Sequence, residues 1–161
     1  MSDGRRDGTS DRRRVRRGGR RVYDRPGIHP PVLVADAYDG ARIPAARYLT
    51  RFHFDVAEAS DGEQALQRIL ASPPQVILAD WSLPSMPALR LCQWLEQSWR
   101  TRNIPVILMV GHCDPTEAPP VAAVLIKPFP LSKMLEEIRR VLRTTTSQTS
   151  GSAGVRNDNA P

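Results

Sequence analysis

Gln75-Val76-Ile77-Leu78-Ala79-Asp80-Trp81-Ser82-Leu83-Pro84-Ser85-Met86-Pro87 runs four apolar residues straight into an acid. Pro73-Pro74 bounds the run on one side, and Pro84 and Pro87 follow on the other. A short, unbroken apolar run between such breakers suits a strand buried on both faces, as in a parallel sheet covered by helices. Asp80 then stands at the carboxyl end of that strand, where open α/β sheets place their ligand sites. An isolated Asp there is more often a loop cap, so its meaning depends on the rest of the chain.

Working outward, Pro30-Pro31 opens a second apolar run, Val32-Leu33-Val34-Ala35, which ends at Asp36. Ala45, Leu49 and Phe52 then share a helical face, with Arg47 and Arg51 elsewhere. Pro44 suits a first helical turn and not an interior, so the pattern predicts a helix starting near Arg42 or Ile43, with Ala37 to Ala41 as loop. Phe54 to Ala59 alternates as a strand. Ser60-Asp61-Gly62-Glu63 has capping-box spacing, Ser60 at N-cap and Glu63 at N3, before a helix expected to bury Leu66, Ile69 and Leu70.

Downstream of Asp80, the residues Ala88, Leu91, Cys92, Leu95 and Trp99 form a helical stripe, with Trp94 and Trp99 read as packing groups. Ile104 to Val110 is another apolar strand. Asp114-Pro115-Thr116-Glu117 could cap one helical turn, but Pro119-Pro120 stops it, so a normal crossover helix does not fit. Val121 to Ile126 is a fifth strand, followed by Lys127-Pro128-Phe129-Pro130. The clearest periodicity lies in the last helix, at Leu131, Met134, Leu135, Ile138, Val141 and Leu142.

Strands alternating with helices mean a parallel sheet sandwiched between helical layers. The expectation is a flavodoxin-like, doubly wound α/β fold of five strands in the order 2-1-3-4-5, its fourth helix shortened or missing. The domain is expected over residues 30–143, between an Arg-rich disordered arm (1–29) and a disordered tail (144–161) rich in Ser, Thr, Gly and Asn.

Charge and composition bound the function. The formal charge is +6, yet residues 1–27 alone hold ten Arg against four Asp, and the remainder holds 13 basic and 13 acidic residues. The surplus therefore belongs to the arm, which could attract nucleic acid or an acidic partner. Tyr23 is the arm's only aromatic residue, so a solvated extension is the favoured reading, and nucleic acid is expected only through residues 1–27. No apolar run reaches about 18 residues, so no membrane span is expected. The Arg-rich start lacks the apolar core of a secretory signal. Cys92 and Cys113 lack metal-ligand spacing and read as reduced thiols, so the expected location is cytoplasmic.

In the 2-1-3-4-5 order the first and third strands are neighbours, which brings Asp36 and Asp80 to one edge, within reach of Lys127. Two carboxylates there could bind Mg²⁺ through oxygen, and an ammonium could neutralise a transferring phosphoryl group. Either carboxylate could be the nucleophile of an acyl phosphate. Equally, the acids could cap loops and the lysine simply pair with them. Spacing alone leaves both open.

From about Pro31 to Arg143 the chain resembles the receiver domain of two-component response regulators. The resemblance rests on Val32-Leu33-Val34-Ala35-Asp36, Glu58-Ala59-Ser60-Asp61-Gly62-Glu63-Gln64-Ala65-Leu66, and Val76-Ile77-Leu78-Ala79-Asp80-Trp81-Ser82-Leu83-Pro84. Ile104-Pro105-Val106-Ile107 and Lys127-Pro128-Phe129 complete it in order. The resemblance implies that Asp80 accepts a phosphoryl group from a partner histidine kinase or a small acyl phosphate. It implies Mg²⁺ held by Asp36, Asp80 and the main-chain carbonyl of Ser82, with Lys127 on the phosphoryl oxygens and a cis Lys127-Pro128 bond. Such a domain is a phosphoacceptor and not an enzyme, with no catalytic residue of its own. Only eighteen residues, mostly polar, follow Arg143, too few for a DNA-reading domain, so a stand-alone regulator is expected.

Four features depart from the family. Ala37 stands where a second acid would touch the metal, which weakens the Mg²⁺ site; Asp39 could substitute from the loop or be a local cap. Val110 replaces the Ser or Thr that bonds the phosphoryl group, Val124 replaces the aromatic that follows its movement, and the fourth helix is stunted. These departures raise the alternative of a pseudo-receiver that binds a partner regardless of phosphate.

Overall fold

The computed structural model describes residues 29–111 and 119–149. Its elements are β1 (Pro31–Ala35), α1 (Asp39–Arg51), β2 (Asp55–Ala59), α2 (Gly62–Ala71), β3 (Val76–Asp80), α3 (Ala88–Glu96), β4 (Val106–Val110), β5 (Ala123–Ile126) and α4 (Leu131–Thr149). All four strand pairings are parallel, and the order is β2-β1-β3-β4-β5, as the alternation predicted. Four helices are found among the described residues. None of the described residues between β4 and β5 is helical, and the single turn expected at Asp114 to Glu117 lies outside them.

The pleat sends alternate strand residues to opposite layers. Val32, Val34, Val76, Leu78, Ile107, Met109 and Leu125 pack against Ala45 and Leu49 of α1 and the Met134, Leu135, Ile138, Val141 and Leu142 stripe of α4. Leu33, Ala35, Ile77, Ala79, Val106, Leu108 and Val110 pack against Ala65 and Ile69 of α2 and Ala88, Leu91, Cys92 and Leu95 of α3. β3 is therefore buried on both faces along Val76–Ala79, which explains its uninterrupted apolar reading. Burial also pushes the Cys92 thiol up to about 11, aided by Glu96, which keeps it an unreactive thiol. Cys113 lies outside the described residues.

Several helix boundaries differ from the sequence reading. α1 begins at Asp39, so Pro44 is inside it, and the expected loop shrinks to Ala37 and Tyr38. The early start has its own supports. Asp36 Oδ1 accepts the Tyr38 N–H, and the Tyr38 carbonyl accepts from the amides of Ala41 and Arg42. The cost is one helical bond, since Pro44 offers Gly40 no N–H. Phe52 caps the end of α1 half-exposed, under the Arg139 guanidinium and beside Tyr48, and Ala46 takes the buried place.

The cap of α2 sits one residue later than predicted. Asp61 is the N-cap and accepts the Gln64 N–H at 2.8 Å, while Gln64 Oε1 accepts the Ser60 N–H at 3.1 Å. Asp and Gln replace Ser and Glu in the same reciprocal logic. Asp61→Ala is expected to cost about 1 kcal/mol in urea unfolding, because it orphans the Gln64 amide.

Leu70 is exposed, since Ile69 and Ala65 already fill the inner face of this short helix. Trp99 lies beyond the end of α3 and is 77% exposed, so it is not a core residue. α4 continues to Thr149, past the start of the expected tail. Thr144 and Thr145 sit in it by donating their hydroxyls to the carbonyls of Arg140 and Val141 one turn back.

Candidate phosphoacceptor site

The carboxyl ends of β1, β3 and β5 meet where the register places them. β1 and β3 pair from Val32 with Val76 to Ala35 with Ala79, which puts Asp36 and Asp80 side by side just past the last pair. β5 pairs with β4 up to Ile126 opposite Val110, and the Lys127 N–H donates to the Val110 carbonyl at 2.7 Å. The Lys127-Pro128 bond is cis.

The three predicted side chains converge. Lys127 Nζ donates to Asp36 Oδ2 and to Asp80 Oδ1, each at 2.7 Å. The remaining carboxylate oxygens take main-chain donors: Asp36 Oδ1 from Tyr38, and Asp80 Oδ2 from the Ser82 N–H at 3.0 Å. Asp36 is closed in, its side chain 4% exposed, whereas that of Asp80 is 16% exposed. Exposure thus separates two acids that spacing could not. Asp80 is the more open of the two to solvent.

Burial alone would lower the Lys127 pKa, but hydrogen bonds to Asp36 and Asp80, and their charges, outweigh it and hold the pKa above its ordinary 10.5. Lys127 is therefore an ammonium at neutral pH. Two of its three N–H bonds are spent on carboxylates, which leaves one for a further anionic oxygen.

Arg42 was not singled out in the sequence. Its Nη1 donates to the Asp36 carbonyl at 2.8 Å, its Nε to Glu58 at 3.2 Å, and its Nη2 to Asp39. One guanidinium thereby ties the turn after β1 to the end of β2 and the start of α1. The Asp39–Arg42 pair has i,i+3 helical spacing and was readable once a helix was assumed there; the link to Glu58 needs the strand order. This pairing also decides the role of Asp39. Its carboxylate is turned to Arg42 and is not brought to the Asp36–Asp80 pair.

The donor set suits Mg²⁺ in kind, since it offers hard carboxylate oxygens, but it falls short in number. Ala37 supplies none, and among the described residues no three of His, Cys, Asp and Glu gather as a metal site. Val110 is buried and lacks a hydroxyl, and Val124 is 40% exposed on the edge strand.

A parallel five-stranded α/β domain with an acid pair and a lysine at its strand ends defines a class. The matching family model is the response regulator receiver domain, over residues 32–139, and the chain belongs to that family. The transcriptional regulator RpaA of Synechocystis is 32% identical over 121 residues, covering 72% of this chain and 50% of its own. The response regulator MprA of Mycolicibacterium vanbaalenii is 28% identical over 122 residues, covering 71% of this chain and 51% of its own. The chain thus spans about half the length of the curated relatives it matches. Among solved structures, the chemotaxis response regulator CheY4 of Vibrio cholerae superposes with a TM-score of 0.66 at 21% identity, over 71% of this chain and 99% of its own.

Proposed function

We propose that the domain acts in two-component signalling by taking a phosphoryl group onto Asp80 from the phosphohistidine of a partner histidine kinase in the cytoplasm. The observation that supports this reading most is the Lys127 ammonium 2.7 Å from both carboxylates, with Asp80 the more open of the two. An Asp80 carboxylate oxygen attacks phosphorus as the phosphorus–nitrogen bond breaks. The electron pair returns to the imidazole, and an acyl phosphate forms. The free N–H of Lys127 meets the negative oxygens of the transferring group, and Asp36 holds that ammonium over the acceptor. The protein is the acceptor of the group and turns over no substrate.

Mg²⁺ would be held by Asp36, Asp80 and the Ser82 carbonyl, more weakly than by a site with a third acid. When bound, it neutralises phosphoryl charge. Incubation with a small acyl phosphate across a Mg²⁺ series, followed by intact mass measurement, tests the reading. A single phosphoryl adduct that rises only at high Mg²⁺ and is absent from Asp80→Asn is expected. No adduct at any Mg²⁺ level would remove the proposal.

A second reading is favoured by one observation, the buried Val110 beside Lys127. Without a hydroxyl there, an acyl phosphate at Asp80 loses the partner that would carry a change toward β5. The helix faces would then bind a signalling partner regardless of phosphate. Partner capture unchanged by Asp80→Ala is the outcome that supports this reading.

A further inference from the structure

The folded body is neutral in sum but not in space. In a parallel sheet with helical crossovers, strand starts and helix ends share one pole, opposite Asp80. At the Asp80 pole the acids Asp36, Asp39, Glu58, Asp61, Glu63 and Asp80 outnumber the bases Arg42, Arg90, Lys127 and Lys133. The opposite pole receives Arg51, the last residue of α1, and Arg68, in the last turn of α2. Arg100 and Arg102, between α3 and β4, and Arg140, whose Nη2 donates to the Ala122 carbonyl just before β5, join them. The acids at this pole are Asp55, Glu96 and Glu137, and Glu137 is bound to Arg140 at 2.8 Å.

Two of these arginines share a built feature. Arg102 and Arg140 line one open cleft of about 560 Å³ together with Asn103, Thr144 and Thr145. Arg102 has no ion-pair partner among the described residues. Beside it in sequence, Trp99 is 77% exposed. The turn that carries them is fixed from within. Buried Thr101 donates its hydroxyl to the Leu95 carbonyl at 2.8 Å, and the Arg102 and Thr101 amides bond the Ser98 carbonyl. An exposed aromatic ring thus stands on a fixed turn that also carries Arg100 and Arg102.

His29 and the start of β1 stand at the same pole, and the Arg-rich residues 1–27 precede them in sequence. The chain enters β1 there, and His29 packs edge-on against His53, which follows α1, with ring centroids 5.9 Å apart. Those 27 residues contain ten Arg and no Lys, a choice that suits planar, bidentate recognition of phosphate. They contain almost no apolar residue that could enter a bilayer.

We infer that this pole binds single-stranded nucleic acid, with Arg100 and the cleft arginines Arg102 and Arg140 on backbone phosphates and Trp99 stacked on a base. This surface is distinct from the phosphoacceptor site and does not depend on it. Sequence reasoning confined nucleic acid to the arm because it saw only a neutral sum over the body; the topology segregates that sum.

The test uses the full chain and a fluorescently labelled oligothymidine. Anisotropy titrations at several salt concentrations give affinity and the salt slope. Replacing Arg100 and Arg102 together by Gln is expected to weaken binding about tenfold and to reduce the log–log salt slope by about 1.4. Trp99→Ala is expected to weaken binding roughly tenfold with the slope unchanged, since stacking is not ionic. Binding unaltered by both variants would assign it to the arm alone and overturn the inference. Capture by anionic phosphatidylserine vesicles with no oligonucleotide binding would overturn it in favour of a lipid surface. Circular dichroism confirms folding of each variant, and both replace exposed side chains.

Discussion

Lys127→Met is expected to cost the fold about 2 kcal/mol and to slow phosphoryl uptake at Asp80 roughly 10²-fold. Removing one partner of a fully buried pair costs about 3–5 kcal/mol, because the remaining charge keeps its desolvation penalty without its partner. The Lys127 side chain is 31% exposed, so water screens part of that loss and brings it down to about 2 kcal/mol. Asp36 and Asp80 would then face each other with no cation between them. The kinetic effect follows from losing the positive charge that Lys127 holds at the Asp80 carboxylate.

The pH dependence of this difference has a definite sign. The folded pKa of Lys127 lies above the unfolded value near 10.5, so the pair's contribution is complete below that pH and is lost as pH rises through the folded value. Urea unfolding of wild type and variant should show a constant gap from neutral pH to about 10 that closes in more alkaline solution. A gap that persists undiminished there would assign the loss to packing and not to charge.

Gly62→Ala should be about as damaging to stability, by about 3 kcal/mol, through a different cause. A Cβ on Gly62 would lie 1.9 Å from the Met86 carbonyl oxygen and 2.8 Å from its carbon. These are backbone atoms of the loop that follows Asp80, so no side-chain rotation can relieve the overlap. The Gly62 N–H also donates to the Pro84 carbonyl at 3.1 Å, which seats the loop on the start of α2. Moving it would disturb the Ser82 amide that holds Asp80 Oδ2. Unfolding followed by the fluorescence of the partly buried Trp81 and Trp94 would measure the loss. Glu63→Ala, on the exposed side of the same turn, should leave the midpoint nearly unchanged.

The strands were legible because burial on both faces writes itself as an unbroken apolar run, and β3 and β4 are enclosed in that way. Their order followed from alternation and crossover handedness, and that order alone brought Asp36, Asp80 and Lys127 together. Helix ends were harder to read. Pro44 argued against a helix whose start is fixed by the Tyr38 N–H bond to Asp36 and the Asp39–Arg42 pair, contacts that exist only after folding. Trp99 continued the apolar spacing of α3 past the point where the helix ends, so periodicity placed it in a core that does not reach it. Arg42 and Gly62 escaped notice as site-building residues for a related reason. Their partners, Glu58 and Met86, are distant in sequence or lie in a loop whose path no pattern encodes.

Borohydride trapping of the adduct tests the central claim most directly. An acyl phosphate on an aspartate is reduced by borohydride to homoserine, and peptide mapping then locates the changed position. After treatment of the full chain with a small acyl phosphate and Mg²⁺, conversion is predicted at position 80, with Asp36 unmodified. Conversion at Asp36 or another acid, or none at all, would contradict the assignment of Asp80 as the acceptor.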